Sequence, residues 1–147
     1  MKVTEKIPVG AWAEKSVEVK REMTVKWFHE HMPEVYGTPM MIYLMEVAAA
    51  DAIKDYLPDG WVSVGVLVNV KHLAATPVGF TVTARAEVLE VGENTIKFRV
   101  EAHDGKEKIG EGIHVRAPIA LDRFMKRVEA KSQGSGVGGQ ESGVSQQ

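Results

Sequence analysis

Cysteine is absent from the 147 residues. Disulfides, thiolate metal sites and cysteine nucleophiles are excluded together, and a reducing compartment fits. An excess of one charge is also missing. Lys and Arg number 18 against 20 Asp and Glu, a formal net charge of −2, so the basic footprint of a nucleic-acid binder is lacking. Long apolar runs are lacking too. The N-terminal MKVTEKIPVGAWAEK has no signal-peptide core, and no stretch reaches bilayer-spanning length. The expectation is one cytoplasmic domain that handles a small molecule, without nucleic acid or membrane as partner.

Large apolar side chains become scarce after residue 131. Ser132 to Gln147 reads SQGSGVGGQESGVSQQ and cannot bury enough surface to offset its ordering entropy. A disordered Gly/Ser/Gln tail is expected there, leaving residues 1–131 as the domain.

Within that domain the hydrophobic period changes along the chain. Ser16 to Arg21 alternates as a strand, and Thr24 to His29 opens a short helix. HEHMPEVY, from His29 to Tyr36, is irregular around Pro33. Thr38 then reads as an N-cap with Pro39 at the first helical position. Met41, Ile42, Met45, Ala48, Ala49, Ala52, Ile53 and Tyr56 follow at helical spacing, until Pro58, Asp59 and Gly60. A helix so nearly apolar all round is expected to be buried.

Beyond it the period is two. Val62, Val64, Val66, Val68 and Val70 form one row, which His72 continues. A second strand turns Val82, Ala84, Ala86 and Val88 inward, and a third turns Ile96, Phe98, Val100 and Ala102 inward. Asp104-Gly105 signals a hairpin. The fourth strand sets Ile109, Ile113 and Val115 against a less apolar face of Gly110, Gly112, His114 and Arg116. Leu121 to Ala130 is amphipathic and helical. This order predicts an α+β fold in which a curved antiparallel sheet wraps a central helix and a second copy completes the edges.

Three side chains carry candidate chemistry. Glu46 is the one charge in the first four turns of the apolar helix. A carboxylate there is a candidate base or nucleophile, or a structural Glu capping a neighbouring turn. His72 ends the valine row and is either a hydrogen-bonded core residue or an acid–base group. Thr38 is explained by capping alone, although a helix N-terminus also favours developing negative charge. Arg116 reads as a solvated surface arginine or a phosphate ligand. His29 and His31 make no convincing metal pair, and no metal site is expected.

The runs VYGTPMMIYLMEVAAADAI, VSVGVLVNVKHLAATPVGFTVTARAEV and HDGKEKIGEGIHVRAPI resemble the fluoroacetyl-CoA thioesterase-like family of hotdog-fold proteins. The resemblance covers roughly Val17 to Arg127. It rests on a Thr, a Glu eight residues later and a His 26 residues beyond, in the phrase HLAATPVG. It implies a dimeric hotdog fold and hydrolysis of a short-chain acyl-CoA, with Thr38, Glu46 and His72 as the catalytic set meeting in one cleft. It further implies Gly65 beside the acyl group, Arg116 in the active-site region, and the irregular segment with Met32 and Tyr36 over the substrate. Homodimers with interface pockets are implied, without metal or redox cofactor; coenzyme A is part of the substrate. The fluoroacetyl-specialised member carries phenylalanines in the lid segment, whereas this chain has Met32 before Pro33. A broader or different acyl group is therefore expected. The alternatives on the same fold are a non-catalytic acyl-CoA-binding dimer and an enoyl-CoA hydratase.

Overall fold

The computed structural model describes residues 2–133. The expected tail lies outside the described residues except for Ser132 and Gln133, which extend the last helix. The elements are β1 (Trp12–Glu18), α1 (Val25–Phe28), α2 (Thr38–Ile53), β2 (Trp61–His72), β3 (Thr81–Val91), β4 (Ile96–His103), β5 (Lys108–Ala120) and α3 (Leu121–Gln133). The five strands form one antiparallel sheet in the order β1-β3-β4-β5-β2. It curls around α2, which is the hotdog fold.

The alternation in β3 and β4 builds the core as expected. Val82, Ala84, Ala86 and Val88 of β3, and Ile96, Phe98, Val100 and Ala102 of β4, are buried under α2. The alanines let the helix approach closely. Each larger side chain contributes roughly 1.5–3 kcal/mol of burial. Gly105 adopts φ +89° in the β4–β5 turn, the left-handed conformation that the Asp-Gly signal anticipates.

Four expectations need correction. The first strand spans Trp12–Glu18 rather than 16–21, and Arg21–Met23 is a 3-10 turn. α2 is buried on one face only: Met41, Leu44, Met45, Ala48, Ala49, Ala52 and Ile53 are covered, while Tyr43 faces out. Thr38 is the first helical residue, Gly37 holds the cap position, and no side chain caps the helix.

The fourth concerns β2. Its register slips between Gly65 and Leu67, leaving Val66 as a bulge. Gly65 lies opposite Arg116, Val68 opposite His114 and His72 opposite Gly110. Paired residues share a face. Gly65 therefore points inward together with Val68, Val70 and His72, and the single valine row is split at the bulge. Gly65 and His72 are seven residues apart, so an unbroken strand would put them on opposite faces.

Candidate active site

The inner face of β5 is the polar one. Gly110 and Gly112 lie there because a Cβ at Gly110 would run into Met41 and one at Gly112 into the backbone of β2. His114 and Arg116 continue that face and are buried, 1% and 7% exposed. Arg116 is thus not the solvated arginine that pattern alone suggests. Two clusters of polar side chains form where α2 crosses this face of the sheet.

The first cluster sits at the start of α2. Thr38 Oγ1 and His72 Nδ1 are 2.7 Å apart. The Thr38 hydroxyl serves the imidazole instead of the helix backbone. His72 Nε2 is buried and makes no hydrogen bond of good geometry, leaving one ring nitrogen free for a further partner. Burial holds the His72 imidazole below its usual pKa, partly opposed by the Ala74 backbone, so the ring is neutral near pH 7. A cleft of about 380 Å³ opens here, lined by Met32, Tyr36, Thr38, His72, Leu73 and Ala74 among others. Tyr36 is a wall rather than an acid. Its hydroxyl donates to the Met40 carbonyl at 3.2 Å, and burial pushes the phenol up to about 12.

The cleft wall is pinned from two directions. The Tyr36 backbone N–H donates to the Thr76 carbonyl at 2.8 Å. Thr76 in turn donates through Oγ1 to Asp104 Oδ2 at 2.9 Å. Burial alone would raise the Asp104 pKa, but the Lys106 and Glu107 N–H groups and the Thr76 hydroxyl outweigh it and hold the carboxyl below its usual value. The segment after His72 is thereby tied to the β4–β5 hairpin.

The second cluster lies two turns further along α2. Glu46 Oε2 is 3.5 Å from Arg116 Nη1 and 3.9 Å from His114 Nε2. Arg116 is held from behind: Nε donates to Ser63 Oγ and Nη2 to the Ser63 carbonyl, both at 2.8 Å. Gly65 is closed in by the Glu46 carboxylate, and any Cβ there would collide with Oε2. A larger residue at 65 would displace the carboxylate from this position.

The structure therefore groups Thr38, His72, Met32 and Tyr36 around the cleft, and Glu46, Gly65 and Arg116 in a separate cluster that does not line it, so the three expected catalytic groups do not meet in one cleft of the single chain. No direct contact joins Glu46 to His72 within the chain. Eight residues of helix separate Thr38 from Glu46 by about 12 Å, although helical side chains tilt toward the N-terminus, so Glu46 leans back toward Thr38. His114 is the member of this cluster that pattern alone did not single out. Its place two residues before Arg116, on one strand face, was the available signal. His29 and His31 pack edge to face, with ring centroids 5.7 Å apart. Among the described residues no cluster of three or more His, Asp or Glu is arranged to hold a metal, and no helix is long and apolar enough to cross a membrane.

A curled antiparallel sheet wrapped around one helix places the chain in the hotdog class. A profile of the family described as fluoroacetyl-CoA-specific thioesterase matches residues 19–122, and the chain belongs to that family. It is 45% identical over 100 residues to a fluoroacetyl-CoA thioesterase of Streptantibioticus cattleyicolor, covering 68% of this chain and 72% of the relative. A solved structure of the fluoroacetyl-CoA thioesterase FlK superposes with a TM-score of 0.80 at 38% identity, covering 84% of this chain and 96% of the other. A hot-dog-like protein from Thermanaerovibrio acidaminovorans superposes with a TM-score of 0.82 at 28% identity, over 92% and 100% of the two chains. The chain is accordingly a thioester hydrolase.

Proposed function

We propose that this protein hydrolyses a short-chain acyl-CoA thioester to the free acid and coenzyme A, with Thr38, Glu46 and His72 as its catalytic groups. The observation that carries this reading is the 2.7 Å Thr38–His72 pair, with the Glu46 carboxylate eight residues along the same helix. Glu46 attacks the thioester carbonyl carbon or takes the proton of the water that does so. When Glu46 attacks, the thiolate leaves and the acyl group stays on the carboxylate as an anhydride; neutral His72 then takes a proton from the water that opens this anhydride and passes it to the thiolate. Thr38 orients the ring, and the backbone near the start of α2 or at Gly65 favours the developing oxyanion. Gly65 lets the Glu46 carboxylate lie close against β2, next to the acyl group. Arg116 supports the carboxylate, and Met32 and Tyr36 wall the acyl side. The reaction as proposed uses coenzyme A only as part of the substrate and needs no metal or redox cofactor.

The working unit is a homodimer in the cytoplasm. Support comes from β2, an edge strand that leaves Val62, Val66, Leu67 and Val68 exposed; Val66 is 56% and Leu67 49% accessible. An apolar edge of this kind favours pairing with another strand. A second copy would close the cleft over the pantetheine arm. The lid carries Met32 rather than the aromatic side chains of the specialised relative, so a substrate range broader than a fluorinated acetyl group follows.

The test is thiol release across a panel of acyl-CoAs, with light scattering to count subunits. Wild type should turn over short acyl groups, and Glu46→Gln should lower kcat by about 10²–10⁴-fold. Full activity in both Glu46→Gln and His72→Ala would refute the assignment.

A further inference from the structure

His114 has no part in the chemistry just described, yet it is among the most completely buried polar side chains of the fold. Its ring lies against Phe98, with centroids 6.1 Å apart and planes 29° apart. Both ring nitrogens are engaged. Nδ1 is 2.8 Å from the Leu67 carbonyl oxygen, the residue that follows the β2 bulge. A carbonyl only accepts, so Nδ1 carries the proton. Nε2 is then the acceptor of the neutral ring, and it lies 3.2 Å from Arg116 Nη1, which can only donate. The same Nη1 faces Glu46.

The chain of causes runs from backbone to carboxylate. The bulge at Val66 presents the Leu67 carbonyl, that carbonyl selects the imidazole tautomer, and the tautomer provides an acceptor for Arg116. With Ser63 holding Nε and Nη2, the guanidinium has its remaining edge turned to Glu46.

We propose that His114 is a positioning residue for Glu46, acting through Arg116 as a tautomer-locked hydrogen-bond acceptor. The inference goes beyond the catalytic set and rests on the proposed hydrolysis only for its kinetic readout. Burial first, and the Arg116 charge after it, hold the His114 imidazole below its ordinary pKa, in keeping with a neutral ring; its Leu67 hydrogen bond and Glu46 act in the opposite sense.

The two nitrogens can be separated by substitution. In H114N the amide stands where Nδ1 was, so the Leu67 contact survives and the acceptor for Arg116 is lost. In H114Q the amide reaches the Nε2 position and restores that acceptor. H114N should lower kcat tenfold or more with KM within twofold of wild type, and H114Q should recover most of that loss. A merely structural histidine would not split the two in this way. Ring 15N NMR of the unmodified full chain at pH 7 reads the geometry without any assay, and should show a protonated Nδ1 and an unprotonated Nε2. A proton on Nε2, a kcat for folded H114N within twofold of wild type, or a folded H114Q no better than H114N would each overturn the proposal. If wild type releases thiol from no acyl-CoA, the proposed function fails and the ring tautomer alone decides the role of His114.

Discussion

The Thr38–His72 end of α2 and the Glu46 end are built on opposite principles. At the Thr38–His72 end one hydrogen bond holds the pair, one ring nitrogen is unengaged, and the cleft is open. At the Glu46 end the arginine and histidine are buried and cross-linked to the β2 backbone, and Glu46 itself keeps one-third of its side-chain exposure. The open end suits proton traffic, which needs a ring free to exchange partners. The closed end suits a carboxylate that must keep one orientation while a thioester is placed against it.

The largest expected effects come from breaking either end chemically. Beside the loss expected for Glu46→Gln, Thr38→Val should cost about 10–100-fold in kcat, because His72 loses the group that orients it. Thr38→Ser should stay near wild type. Stability sharpens the contrast: an N-cap threonine would cost about 1 kcal/mol on removal. Since Thr38 makes no capping bond, Thr38→Val should shift unfolding free energy by less than about 0.5 kcal/mol in urea titrations.

Overfilling the closed end is expected to act on both properties. Gly65→Ala would drive a methyl into the Glu46 carboxylate. A loss of about 1–3 kcal/mol in stability should accompany a fall in kcat, measured by urea unfolding and thiol release. A stable, fully active Gly65→Ala would mean that the carboxylate does not need its present place.

The smallest effect concerns pH. His72 and His114 both titrate below 6.5 in the fold, burial being the leading cause at each. The unfolded chain therefore takes up protons first on acidification. Stability is complete above about pH 6.5 and declines as pH falls below it, until the folded rings also protonate. The melting temperature between pH 7.5 and 5 should drop less in His72→Gln and in H114Q than in wild type. The catalytic role of His72 predicts that activity persists below pH 6.5 and is lost only as its lowered pKa is crossed.

Much of the fold was legible from period and punctuation. β3 and β4 alternate cleanly, and Asp104-Gly105 marks the hairpin, because there the apolar side is the buried side. The same rule misreads β5, whose inner face is Gly110, Gly112, His114 and Arg116. Glycine faces the helix there to admit Met41, and the polar pair faces it to meet Glu46. β2 misleads for another reason: valines stand on both sides of Val66, so the bulge leaves the hydrophobic pattern unchanged while it reverses which valines point inward. Of the site, the resemblance supplied Thr38, Glu46, His72, Gly65 and Arg116 as candidates. The grouping into two clusters was hidden, because it depends on the direction α2 takes across β2 and on where the bulge falls. His114 was hidden because nothing in a lone histidine on a strand distinguishes a relay from core filling.

The central claim is that Glu46 and His72 serve one thioester despite standing in different clusters. A crystal structure of the assembled protein with a non-hydrolysable acyl-CoA thioether measures this directly. The account predicts the acyl carbon flanked by the Glu46 carboxylate, with the His72 ring within reach of the sulfur or of a water beside it. An analogue bound with its acyl group touching neither side chain would contradict it.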